Sequence, residues 1–288
     1  MELLRMLPYK NLIETALTED IGTGDITTDA IVPHQLEGRF VIISKEKKDI
    51  VAAGIDVAKT VFLRVSPKII FTSEVCDGDT VHEKGLVLAG RGPLAALLTA
   101  ERTALNFLQR LTGIATNAYA WAAIVAPFGV RLVDTRKTTP GLRVLEKYAV
   151  RTGGAYNHRM GLFDGVLIKD NHILAAGGIL PAVQKVRGRV SHLVKIEVET
   201  ANIEEVKEAL SAGADVIMLD NMTLPEIRKA VQLINKKALI EVSGNVTEST
   251  LKDLAETGVD MISSGALTHS AKSADLSMRI EPCHVSST

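Results

Sequence analysis

The sequence is poor in cysteine, in excess charge of either sign and in long apolar runs, and each shortage excludes something. Two cysteines, Cys76 and Cys283, among 288 residues supply neither a disulfide framework nor a metal knuckle; they read as ordinary thiols of a reducing compartment. No stretch of ~18 apolar residues occurs, so no membrane span is expected. Lys plus Arg number 33 against 34 acidic residues, a formal net charge of −1, whereas wholesale nucleic-acid binding ordinarily shows a basic excess. Such a balance still leaves room for a small basic pocket. The opening MELLRMLPYKNLIETAL is too short and too charged in its apolar part for a signal peptide. It reads as an amphipathic helix, and the default is a cytoplasmic protein. What the chain has in quantity is hydrophobic residues, 46%, enough to build one large α/β domain or two smaller ones.

From about residue 130 one theme recurs. A short apolar run ends in a polar cluster, and a helical stretch follows. The runs are VRLVDTRK (130–137), DGVLIKDN (164–171), LVKIEVE (193–199), DVIMLDN (215–221), LIEVSGN (239–245) and DMISSGA (260–266). Helical patterns such as IEEVKEALSAGA and LPEIRKAVQLINKKA separate the later ones, with Gly placed at helix ends. Six βα units in a row predict a parallel sheet closing toward a barrel, with an open doubly wound sheet as the alternative. The first half has another rhythm. RFVIISKEKKDIVAAG (39–54) reads as a hairpin with a charged tip, GIDVAKTVFLRV as a helix, and the residues around 68–92 as strands with Asp-Gly turns. Residues 93–126 read as helical with a break at Gly113. ADLSMRI (274–280) alternates like a strand that could pair back into this first layer. The expected fold is therefore an N-terminal α/β sandwich over 1–112, an incomplete, open parallel α/β barrel over 113–272, and a strand in 273–288 returning to the sandwich.

In a parallel barrel, functional groups gather at the C-terminal ends of the strands. The six ends offer Asp134, Arg136 and Lys137; Lys169, Asp170 and Asn171; Glu197 and Glu199; Asp220 and Asn221; Ser243, Gly244 and Asn245; and Ser263, Ser264 and Gly265. Charges at a core mouth need partners or a ligand. Internal pairs such as Arg136 with Glu199 or Lys169 with Asp220 are one possibility. A ring of charges converging from separate strands points instead to a site. SGNVT and SGALT are small Gly-containing turns of the kind whose backbone N–H groups hold phosphate. DTRKTTPG (134–141) reads as an anion clamp, with Thr139 as N-cap and Pro140 in the first turn of a helix. The loop RTGGAYNHRMGLFDG (151–165) adds His158 and Arg159 as further donors.

Taken together, EDIGTGDITT, AERTALNFLQRLTGIAT, DTRKTTPGLR, GGAYNHRMGLFDGVLIKDNHI, IEVE, MLDNM, EVSGNV and SSGALTHSA resemble the quinolinate phosphoribosyltransferase family, nearly end to end. The resemblance implies the sandwich-plus-incomplete-barrel fold, a homodimer or higher oligomer, and de novo NAD biosynthesis. The implied reaction moves phosphoribosyl from phosphoribosyl pyrophosphate to quinolinate, releasing pyrophosphate and CO2 and leaving nicotinate mononucleotide. By resemblance, Arg136, His158, Arg159 and Lys169 surround the pyridine dicarboxylate, and Arg102 reaches in from the partner subunit. Lys137 serves the phosphoribosyl donor and Thr135 is a further substrate-binding residue, while Glu199 and Asp220 hold Mg2+ or face the ribose. Ser243, Gly244, Asn245 and Gly265 line the phosphate, with Ser264, Ala266 and His269 as further substrate-binding candidates. Lys137, Lys169, Glu199 and Asp220 are the implied catalytic groups, with the roles of Glu197 and Glu199 open between them. Three rivals remain: the paralogue found with molybdate-transport genes, a barrel lyase or isomerase acting on a phosphorylated sugar, and a non-catalytic sensor of phosphorylated metabolites.

Overall fold

The computed structural model describes residues 9–283; the first eight residues of the expected N-terminal helix and the last five of the returning segment lie outside them. By compactness the chain divides into two units. Among the described residues one unit comprises those up to 119, 139–154 and those from 271, and the other 120–138 and 155–270. Compactness thus draws residues 113–119 and 139–154 into the first unit, beyond the expected boundary at 112.

The first unit is built on an antiparallel sheet. β1 (Glu37–Ser44) alternates exposed and buried residues along its length, the signature of a strand with one face on a core. It is followed by β2 (Ile50–Val51), β3 (Ile70–Glu74), β4 (Thr80–Val81) and β5 (Leu86–Pro93). The expected hairpin over 39–54 does not form. Both edges of β1 are taken, by β5 on one side and by the C-terminal strand Leu276–Pro282 on the other, so β2 pairs with β4 instead. Phe40 and Phe62 stack at 4.8 Å between centroids, with Phe71 edge-on to both. Nor does Gly113 break its helix, which runs from Leu94 to Val125. A Cβ at Gly113 would sit 1.9 Å from the Lys272 carbonyl oxygen, so the glycine is there to let another stretch of chain approach the helix closely.

The second unit carries the parallel strands β6 (Arg131–Val133), β7 (Val166–Ile168), β8 (Ile196–Thr200), β9 (Val216–Asp220), β10 (Leu239–Ser243) and β11 (Met261–Ser263). Their order in the sheet is β6-β11-β10-β9-β8-β7. Around a closed barrel β6 would also meet β7. Here these two are the sheet's edges, so the barrel is open. Two of the intervening helices are started by local caps. Asn202 accepts the Glu205 N–H at 2.9 Å to start Ile203–Ser211. A capping box between Thr223 and Glu226 starts Leu224–Ile234, satisfying donors that a helix leaves unpaired at its N-terminus. Among the described residues no helix is long and apolar enough to cross a membrane.

Candidate active site

The strand ends of the parallel unit surround a cavity of about 860 Å³. Thr135, Arg136 and Lys137 enter it from the loop after β6, His158 and Arg159 from the loop before β7, and Lys169 from the end of β7. Glu199, Asp220 and Ser243 follow from the next three strands, Gly244 and Asn245 from the turn after β10, and Ser264, Gly265, Ala266 and His269 from beyond β11. Side chains two apart on a strand share a face, and the lining pairs Leu167 with Lys169, Met218 with Asp220 and Glu241 with Ser243 obey that period. Arg102 is exposed on the helix of the other unit and does not line the cavity. Glu241 was not expected. The two-residue spacing that put Glu197 and Glu199 on one face would have placed Glu241 beneath Ser243.

Backbone anchors hold the cations in place. The Thr268 hydroxyl donates to the Lys137 carbonyl at 2.8 Å, and the Lys137 N–H donates to the Thr135 hydroxyl at 3.0 Å. Asp134 is fully buried; it accepts the Asn157 side-chain amide at 2.6 Å and the His158 N–H at 2.9 Å. The expected helix start at Thr139–Pro140 is corrected. The helix begins at Arg143, because Gly141 takes a left-handed φ of 80° and the Thr139 N–H and hydroxyl both go to Glu146. Arg136 and Lys137 therefore sit on the loop after β6 and not at the start of the helix Arg143–Thr152; Lys137 lies instead against Gly265 and Thr268.

His158 has both ring nitrogens engaged. Nδ1 accepts the Arg159 N–H at 2.8 Å, which leaves the hydrogen on Nε2, directed at Glu197 Oε2 2.9 Å away; this tautomer follows from the bonding pattern. The ring was expected to add donors for a ligand and instead spends them on the protein. Burial, then the like charge of Arg136, lowers the Arg159 pKa from its ordinary value. Two guanidiniums that repel each other at a cavity wall are placed for an anion. Lys169 Nζ lies 2.6 Å from Glu199 Oε2 with the lysine side chain 45% exposed, a screened pair that a ligand can reorganise. Gly244 has φ of 91°, and a Cβ there would fall 2.2 Å from Asn221 Oδ1; the turn is open only to glycine.

Two side-chain sets could hold a cation. Glu199 and Asp220 offer hard carboxylate oxygens from neighbouring strands on the cavity wall, the donor type Mg2+ takes. His158, Glu197 and Glu241 bring three ligand atoms within 4.8 Å of one another.

The chain matches two family descriptions, "Quinolinate phosphoribosyl transferase, N-terminal domain" over residues 25–112 and "C-terminal domain" over 114–279. It is 43% identical to the probable nicotinate-nucleotide pyrophosphorylase [carboxylating] of Bacillus subtilis (strain 168), over 98% of this chain and 99% of that one. Identity to the probable enzyme of the same name from Synechocystis is 46%, covering 92% and 90%. The crystal structure of NadC from Streptococcus pyogenes superimposes with a TM-score of 0.91 at 40% identity, over 96% of this chain and 97% of that one.

Proposed function

This chain belongs to the quinolinate phosphoribosyltransferase family, and we infer that the cavity of its parallel-sheet unit is where the transfer takes place. The enzyme is a pentosyltransferase of NAD biosynthesis. It joins quinolinate to the phosphoribosyl group of phosphoribosyl pyrophosphate and releases pyrophosphate and CO2, leaving nicotinate mononucleotide. One observation carries the assignment of the site: Arg136 and Arg159 face one cavity and repel each other there, as a receptor for a dianion requires. Arg136, Arg159 and Lys169 take the two carboxylates, and Arg suits this because its planar fork matches a carboxylate in two hydrogen bonds. His158 walls the same side. Ser243, Gly244, Asn245, Ser264, Gly265, Ala266 and His269 receive the donor's phosphate.

In the reaction the pyridine nitrogen forms a bond to the anomeric carbon as the bond to pyrophosphate breaks. Lys137, beside Thr135, stabilises the charge that leaves, while Glu199 faces the positive charge developing on the ribose. The ring becomes a pyridinium and accepts the electron pair released when the 2-carboxylate departs as CO2; a proton then replaces it on carbon. Glu199 and Asp220 would hold Mg2+, whose charge when bound offsets the pyrophosphate. We extend this to a cytoplasmic homodimer or higher oligomer in which Arg102 completes the partner's cavity. Product formation from quinolinate and phosphoribosyl pyrophosphate, with and without Mg2+, tests the whole scheme, and no nicotinate mononucleotide would overturn it. Mixing Arg102→Ala with Arg136→Ala protein tests the sharing. Partial recovery of activity is expected, and its absence removes Arg102 from the site.

A further inference from the structure

Two buried carboxyl groups beside the cavity have no part in the chemistry above. Glu197 is 7% exposed and Glu241 1%, and each keeps a buried Oε1 with no hydrogen-bond partner. Acids placed so deep are costly unless something compensates them. Both face one ring: Glu197 Oε2 is 2.9 Å and Glu241 Oε1 3.7 Å from His158 Nε2, while Glu241 also meets the Ser263 hydroxyl and Glu197 itself. On the ring's other side, Nδ1 accepts the Arg159 N–H. We propose that Glu241 is a positioning residue for the dicarboxylate clamp: with Glu197 it fixes the His158 ring, and the ring fixes the main chain of Arg159, from which the guanidinium reaches quinolinate. The inference rests on the quinolinate reading of the cavity.

The same three ligand atoms could in principle embrace a metal ion, and the hydrogen bonding decides against it. A neutral imidazole has one N–H and one lone pair. Arg159 takes the lone pair at Nδ1, so Nε2 bears hydrogen and offers a metal nothing. Each acid still keeps one unpaired oxygen, and a carboxyl O–H on Glu241 is a donor that the two can share. Burial, then the charge of Glu197, push the Glu241 carboxyl up to about 7, in keeping with a group that keeps its proton below neutrality. Arg159 is pinned from two directions, because buried Asp134 grips the His158 N–H while the acid pair grips the His158 ring.

The test compares Glu241→Gln with Glu241→Leu in the full chain, using quinolinate and phosphoribosyl pyrophosphate. Gln keeps an N–H donor where the carboxyl O–H stands; Leu keeps the bulk and removes it. Gln should hold the quinolinate KM within about threefold, while Leu raises it about tenfold or more with a smaller change in kcat and in the donor's KM. Because Leu could unfold, the nitrogen NMR spectrum of the His158 ring in the unaltered enzyme is a second readout. The Nε2–H tautomer is expected there and in the Gln variant. An imidazolium or Nδ1–H ring, an unchanged quinolinate KM in the Leu variant, equal losses in both variants, or a stoichiometric zinc or manganese ion lost in both would each overturn the proposal. Failure of the unaltered enzyme to use quinolinate strikes the functional reading instead, and shows before any variant is made.

Discussion

The antiparallel-sheet unit and the parallel-sheet unit both bury ionisable side chains, and they treat them differently. In the first, Glu146 is fully buried. Its Oε1 accepts two N–H groups of Arg110, at 3.0 and 2.8 Å, and the Thr139 hydroxyl at 2.8 Å, while Oε2 accepts the Thr139 N–H. The Tyr148 hydroxyl donates to Asp77 at 2.6 Å, and burial, ahead of that bond, pushes its pKa up. Among the described residues, no buried side-chain nitrogen or oxygen of this unit lacks a hydrogen-bond partner. In the second unit, Glu197 and Glu241 keep orphaned oxygens, and Arg159 is burdened by both burial and Arg136. A buried charge is therefore a poor pointer to a site by itself. The pointer is whether neighbouring protein groups have already settled it.

Two substitutions press on that contrast. Removing Glu146 (Glu146→Ala) strips a closed network and leaves Arg110 facing a void. Breaking such a pair costs about 3 kcal/mol or more; Arg110's side chain is 22% exposed, so water recovers part of it. A clear fall in melting temperature should follow. Arg159→Ala removes a charge that the fold leaves for a ligand. Charge-assisted contacts are worth about 1.5–3 kcal/mol each, so the quinolinate KM should rise at least about tenfold, with the melting temperature held or raised. A melting loss for Arg159→Ala matching that of Glu146→Ala would erase the distinction between the units.

Much of this was readable in advance, and the failures share a cause. All six strands of the parallel unit and the polar residues at their ends were legible, because a βα repeat places polar residues there by period; His158 and Arg159 came from the loop before β7, and Thr135, Ala266 and His269 from the family resemblance alone. Misread elements depended on partners distant in sequence. The hairpin at 39–54 failed because β1 was claimed by a strand more than two hundred residues later. Gly113 looked like a break because nothing local announces that the chain near Lys272 presses on it. His158 was expected as a donor to ligand; its commitment to Glu197 and to the Arg159 N–H depends on a carboxylate from another strand and on the local path of its own loop. Glu241 hid inside LIEVS, an otherwise apolar run, although the two-residue period back from Ser243 puts it on the cavity face.

The smallest effect is also the sharpest probe of the open network. Glu241 has its pKa raised from 4.5 to about 7, first by burial and then by the charge of Glu197. Between those values the native chain binds a proton that the unfolded chain has released. Stability therefore falls as pH rises in that window, and the contribution of the neutral acid is lost as pH passes through about 7. A glutamine at 241 cannot ionise. Glu197, His158, Arg136 and Arg159 are charged and titratable groups that face the site in both proteins, and only residue 241 differs between them. The stability of Glu241→Gln relative to the unaltered chain should climb between pH 6 and 7, by on the order of 1 kcal/mol at most. Thermal unfolding at closely spaced pH values measures it. A difference that stays flat would mean that Glu241 is ionised throughout, its charge settled by the surrounding cations. The acid pair would then belong with the closed networks of the antiparallel unit.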